Sequence, residues 1–167
     1  MYRLRISTAP VRHCSHIGPH LLAYLLVVAS SSMLPSQKLW QQNLNKSNAA
    51  QQDLINSIDP NIYDIITLQE PYVDFLDNTR ANQRWYPLLP STHCNNLSKT
   101  CAATFINKQI LTSAWQQIMI NSQDIVLTAI NTPTGPITIF NIYNNRDHSN
   151  SLHTIRRTLV EDPNIPG

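Results

Sequence analysis

From residue 37 onward the chain alternates short apolar runs with turn-forming clusters, and the period of each run predicts an element. KLWQQNL (residues 38–44) alternates bulky and polar positions and predicts a strand. Ser47 and Asn48 then offer an N-cap, and Ala50, Leu54, Ile55 and Ile58 fall at helical spacing until Asp59-Pro60 ends the helix. DIITLQ (residues 64–69) is a continuous apolar run closed by Pro71, which predicts a buried strand parallel to the first through a βαβ crossover. Residues 72–98 are polar and irregular, with Trp85-Tyr86-Pro87-Leu88-Leu89 expected to pack a loop onto the core. Residues 100–106, 115–120, 125–130 and 137–143 predict four strands of an antiparallel meander, separated by turn formers at 107–108, 121–123 and 132–135. A final helix is predicted over 149–161, with Leu152, Ile155, Leu159 and Val160 on one face and Asp162-Pro163 as its stop.

The residues before this pattern read differently. Arg3, Arg5 and Arg12 are unopposed by acidic residues, LLAYLLVVA (residues 21–29) is apolar throughout, and Ser30, Ser31 and Ser32 follow. Those are the parts of a secretory signal peptide, and the run is shorter than the roughly 20 residues of a spanning helix. Pro10, Pro19 and three histidines (His13, His16, His20) fit a signal peptide less well, so an unstructured leader stands beside it as the alternative. The expected organisation is a leader over residues 1–35, a domain over 36–162 and a tail over 163–167.

Composition narrows the classes. The chain has 167 residues, the size of one domain, with 42% apolar residues, 13% charged residues and a formal net charge of +2. Neither a charge-rich disordered chain nor a strongly basic nucleic-acid coat is indicated. Only 3 glycines stand against 11 prolines, and no GxGxxG or GxxxxGK[ST] loop exists, so no nucleotide cofactor is expected. The three cysteines, Cys14, Cys94 and Cys101, show no C-x-x-C zinc spacing; Cys94 and Cys101 are read either as two thiols or as a loop disulfide.

Two polar residues stand at the ends of the two parallel strands: Asn43 and Glu70. Ligands of parallel α/β sheets bind outside the carboxyl ends of the strands, so both side chains are candidates for one crevice. An amide oxygen beside a carboxylate is a hard-oxygen pair of the kind Mg²⁺ prefers. Capping or turn formation is the structural alternative for each.

WQQNLNKS (residues 40–47), LQEPYV (68–73) and IFNIYNN (139–145) occur in order around these elements. Together they resemble the endonuclease/exonuclease/phosphatase superfamily, and within it the apurinic-type endonuclease domain of non-LTR retrotransposon reverse transcriptases, over about residues 37 to 160. The resemblance implies an α/β fold, a DNase I-like α+β sandwich of two packed sheets with outer helices. It implies a metal-dependent phosphodiester hydrolase acting on DNA, with Mg²⁺ as cofactor and Mn²⁺ as the alternative. By position, Asn43 matches the asparagine near the catalytic metal and Glu70 the principal metal-ligating glutamate. Asn45 matches a supporting position of the metal site, and Tyr143 matches the tyrosine that approaches the scissile phosphate. Where the family commonly continues Pro-Asn, this chain has Asn145 and Arg146. An intracellular, nuclear setting follows from a retroelement origin; a signal peptide would make the protein secreted.

The resemblance also implies what is missing. The family's G-D-F-N motif, whose aspartate orients the attacking water, and its closing D-H motif, whose histidine binds phosphate, are absent from this chain. His148 and His153, the late histidines, read as surface residues. The expectation is therefore a truncated domain, roughly the first sheet with its helices, inactive or nearly so alone. An uncovered sheet face of several hundred Å², at about 25 cal/mol per Å² against a usual margin of about 5–15 kcal/mol, would invite association. Two other classes stay open: a non-catalytic interaction or DNA-binding fragment, and a secreted nuclease-like protein.

Overall fold

The computed structural model describes residues 22–29, 37–93, 100–133, 135–144 and 150–161. Its elements are β1 (Leu22–Ala29), β2 (Leu39–Asn43), α1 (Asn48–Ser57), β3 (Ile65–Gln69), β4 (Trp85–Leu88), β5 (Ala102–Asn107), β6 (Trp115–Ile118), β7 (Ile125–Thr132), β8 (Gly135–Asn144) and α2 (Asn150–Glu161). They form two four-stranded sheets of orders β2-β3-β5-β4 and β1-β8-β7-β6. β2 and β3 are parallel, as the βαβ spacing predicts, and every other pairing is antiparallel.

The local rules explain α1 well. Ser47 Oγ accepts from Ala50 N at 3.2 Å, Leu54 and Ile55 turn inward, and Ile58 leaves the helix in an extended conformation before Asp59-Pro60. At the other end Arg84 Nη2 donates to Ile55 O and Asn56 O at 3.1 and 2.8 Å, and Asn82 Nδ2 to Ile55 O at 3.0 Å, placing a cation and an amide where the helix has no N–H groups left for its last carbonyls.

Each sheet has one face on the other sheet and one under a helix. Ile65, Ala102 and Ile106 of the first sheet meet Val126, Ile130, Ile137 and Ile139 of the second. α1 covers the opposite face of the first sheet, over Ile66, Leu68, Trp85, Ala103 and Phe105, and Ile155 of α2 covers Ile125, Leu127, Phe140 and Ile142. The order of layers is helix, sheet, sheet, helix, an α/β arrangement with few helices.

Three expectations are corrected by this arrangement. Both sheets are present, where roughly the first sheet was expected, and the described sheet residues that would have formed an uncovered face are largely buried. Residues 22–29 form a strand antiparallel to β8, which supplies backbone partners for the run. Trp85–Leu88 is an edge strand rather than a packed loop; Pro87 is tolerated there because an edge position can spare one N–H. Residues 102–107 leave the expected meander, pairing with β3 and β4 instead of β6, since a 3₁₀ turn at Thr112–Ala114 carries the chain to the other sheet. The remaining three-stranded meander, β6 to β8, is as expected. No helix among the described residues is long and apolar enough to cross a membrane.

Candidate functional site

The interface between the sheets changes character along its length. Strand register places Ile65 beside Ile106, then Thr67 beside Thr104, then Gln69 beside Ala102 in the first sheet. The second sheet runs Ile130 beside Ile137, Thr128 beside Ile139, and Val126 beside Asn141. One end is thus aliphatic and the other polar, and the polar end is where β2 and β3 finish.

A buried amide bridge closes that end. Gln69 Nε2 donates to Asn141 Oδ1 at 2.7 Å, and Asn141 Nδ2 reaches Leu68 O, Ala103 O and Thr104 Oγ1 at 3.2, 2.8 and 3.3 Å. Both residues are fully buried. One step beyond Gln69 and two beyond Asn141, Tyr143 Oη donates to Glu70 Oε1 at 2.7 Å. The motifs LQEPYV and IFNIYNN, 73 residues apart, therefore meet at their candidate residues.

Backbone bonds stitch the same strand ends. Glu70 N donates to Cys101 O at 2.8 Å, Cys101 N to Gln123 O at 3.2 Å and Tyr143 N to Asp124 O at 2.8 Å. Asp124 is a buried carboxylate beside the Cys101 thiol. Burial and then Asp124 push that thiol up to about 12, so it stays protonated at neutral pH; the Lys46 ammonium nearby acts weakly in the other direction. Burial and the Glu70 carboxylate also raise Tyr143, which keeps its phenol protonated as a donor.

The β2–α1 turn completes the site. Asn43, in register with Gln69, accepts from Asn45 N at 2.8 Å through Oδ1, an Asx turn, so its side chain takes the turn-forming role that was the alternative. Lys46 N donates to Glu70 O at 2.8 Å. Asn45, Lys46 and Glu70 have φ of 49°, 55° and 48°, conformations that cost non-glycine residues free energy and that concentrate here rather than along the sheets. Asn45 is exposed and contributes its backbone N–H. α1 begins beside this turn with no acidic residue in its first turn, leaving its positive dipole end uncompensated by carboxylates.

Of the residues singled out from the sequence, Glu70 and Tyr143 are in contact, and Asn43 and Asn45 border them on the turn that hydrogen-bonds to Glu70. Asn145, Arg146, His148 and Cys94 lie outside the described residues, and His153 is exposed on α2. The sequence reading missed Gln69, Asn141, Cys101 and Asp124. For the first two a signal existed: an amide at an inward position of an otherwise apolar strand is costly unless it is paired.

The donor set bears on the implied cation. Glu70 keeps one carboxylate oxygen beyond the one bonded to Tyr143, and Asn43 Oδ1 keeps a second lone pair; this suits Mg²⁺, which takes one or two carboxylates and completes its shell with water. Among the described residues, no group of three or more His, Cys, Asp or Glu is placed to hold a metal by itself. Comparison of the chain with protein-family models, curated proteins and solved structures finds no match.

Proposed function

We propose that the chain is a Mg²⁺-dependent phosphodiesterase domain of the retrotransposon endonuclease type, acting on DNA and nearly inactive by itself. The observation that carries this reading is the 2.7 Å contact between Tyr143 and Glu70, which joins the two candidate residues of motifs distant in sequence. The helix–sheet–sheet–helix order supports it, since that superfamily's fold is two packed sheets with outer helices.

In this reading Glu70 and Asn43 hold the cation and Tyr143 fixes the carboxylate. When bound, Mg²⁺ would supply charge stabilisation at the phosphate and leaving oxygen. Tyr143, protonated across the neutral range, orients Glu70 and in this reading would approach a phosphate oxygen. The α1 N-terminus and Lys46 add positive potential on the same side. No residue described here is assigned as the general base, a contribution of typically about 10²–10⁴-fold, which is why turnover is expected to be slight.

Nicking of supercoiled plasmid and binding of duplex DNA, each with Mg²⁺ or EDTA and with Glu70→Gln, test the reading. The expected result is Mg²⁺-stimulated, Glu70-dependent binding with weak nicking. Full-strength Glu70-dependent nicking would overturn the inactivity. DNA binding and nicking indifferent to both Mg²⁺ and Glu70 would overturn the phosphodiesterase reading.

A further inference from the structure

Among the described residues, four other than glycine take a positive φ: Asn45 (49°), Lys46 (55°), Glu70 (48°) and Asp77 (64°). Asn and Asp enter the left-handed region readily, because a short polar side chain bonds to the backbone near it. Lys and Glu have no such help. At Lys46 and Glu70 the backbone conformation is therefore one that the residue type does nothing to relieve.

These two residues are joined to each other. Lys46 N donates to Glu70 O at 2.8 Å, and Ser47, the next residue, caps α1. Glu70 N is held in turn by Cys101 O at 2.8 Å, and the Lys46 ammonium is close enough to act on the Cys101 thiol, against Asp124 and Glu70. Two opposite charges thus stand on adjoining, unfavourable backbone at the ends of β2 and β3. The Lys46 side chain is exposed, and among the described residues it forms no ion pair.

We propose that Lys46 is a phosphate ligand, its ammonium contacting a non-bridging oxygen of the phosphodiester that the Glu70 end of the sheets engages. This rests on the phosphodiesterase reading above and adds to it a residue in contact with the substrate. Glycine at position 46 would relieve the left-handed backbone, but it has no charge to offer a phosphate. A lysine held there is strain kept for what its side chain does, the pattern of residues that surrounding structure over-determines at functional sites.

The neighbouring chemistry suits one anionic oxygen rather than an extended polyanion surface. An ammonium is a compact point charge that meets a phosphate oxygen from several directions. α1 begins beside it with no acidic residue in its first turn. The carboxylates at this position are Glu70, which in this reading faces the cation, and Asp124, which is buried beside Cys101. A single contact of this kind needs no basic coat, in keeping with a net charge of +2.

The test compares the wild-type chain with Lys46→Gly, Lys46→Gln and Lys46→Arg, measuring binding of a labelled duplex over a series of salt concentrations in Mg²⁺ and in EDTA, with urea unfolding alongside. Lys46→Gly should unfold at a urea midpoint about 0.5 M above wild type, because glycine takes the left-handed backbone freely. It should bind about tenfold more weakly, and the slope of log affinity against log salt should become shallower by about 0.9, the share of one phosphate contact. Lys46→Gln should show the same binding loss at the wild-type midpoint, and Lys46→Arg should keep wild-type binding. Wild-type affinity and slope in both Lys46→Gly and Lys46→Gln, with Glu70-dependent DNA binding intact, would overturn the phosphate contact and leave the phosphodiesterase reading standing. Binding lost in Lys46→Gly but kept in Lys46→Gln would place the effect in the backbone and overturn the contact as well. Weaker binding of inorganic phosphate with unchanged binding of duplex would make free phosphate the ligand and overturn the phosphodiester contact. Failure of the wild-type chain to bind duplex, with or without Mg²⁺, would overturn both readings.

Discussion

Asn141→Ala removes the acceptor Oδ1 of the fully buried Gln69 Nε2 group and the amide donor that reaches Leu68 O and Ala103 O. A buried polar group left without a partner costs about 1–3 kcal/mol, and each lost hydrogen bond is worth about 0.5–1.5 kcal/mol. The sum points to a destabilisation of about 3 kcal/mol, a large part of a usual margin of about 5–15 kcal/mol. For a chain of this size that is a fall of roughly 6–12 °C in Tm. Replacing both amides, Gln69→Leu with Asn141→Leu, removes donor and acceptor of the bridge together and leaves the Thr104 hydroxyl short of the Asn141 bond, so the double variant should recover about 1–3 kcal/mol relative to the sum of the single variants. Urea unfolding followed by tryptophan emission reads this directly, since Trp85 is buried in the first sheet. The comparison is made at constant m. A cost under about 0.5 kcal/mol for Asn141→Ala, or strict additivity in the double variant, would refute the view that the amide bridge holds the two sheets at the site.

Three further outcomes follow from the same geometry. Of the six tyrosines, Tyr143 should ionise late in a spectrophotometric titration at 295 nm, and Tyr143→Phe should remove that late step; loss of an ordinary step instead would contradict the Glu70 contact. The Cys101 thiol is raised in the folded chain relative to the unfolded one, so the folded state holds its proton longer. Its contribution to stability is therefore full below about pH 9 and is lost as the pH climbs towards 12; urea midpoints should fall over that range, and less steeply in Cys101→Ser. Removing residues 1–36 strips β1 from β8 and exposes a long strand edge, so the shortened chain should unfold at lower urea and self-associate; an unchanged midpoint would contradict the pairing.

Much of this protein was legible as local pattern. The period of Ala50, Leu54, Ile55 and Ile58, the cap at Ser47 and the stop at Asp59-Pro60 delimit α1 because capping and helix propensity act within a few residues. The same locality gives β2 and β3, the β6–β8 meander and α2. Glu70 and Asn43 were legible as polar ends of apolar strands.

What the local pattern could not decide was which strands become neighbours. β5 lies between β3 and β4, though its residues precede β6 in sequence, and residues 22–29 pair with a strand more than a hundred residues later. Strand pairing depends on long-range burial and backbone hydrogen bonding, and neither leaves a mark at one position. The Gln69–Asn141 bridge, the Cys101–Asp124 neighbourhood and the Tyr143–Glu70 bond are of the same kind: each joins residues from different strands or loops. The sequence by itself determined which residues are apolar, capped or turn-forming; the tertiary structure alone decided which polar groups face one another, because a buried amide or carboxylate is stable only where the fold supplies its partner.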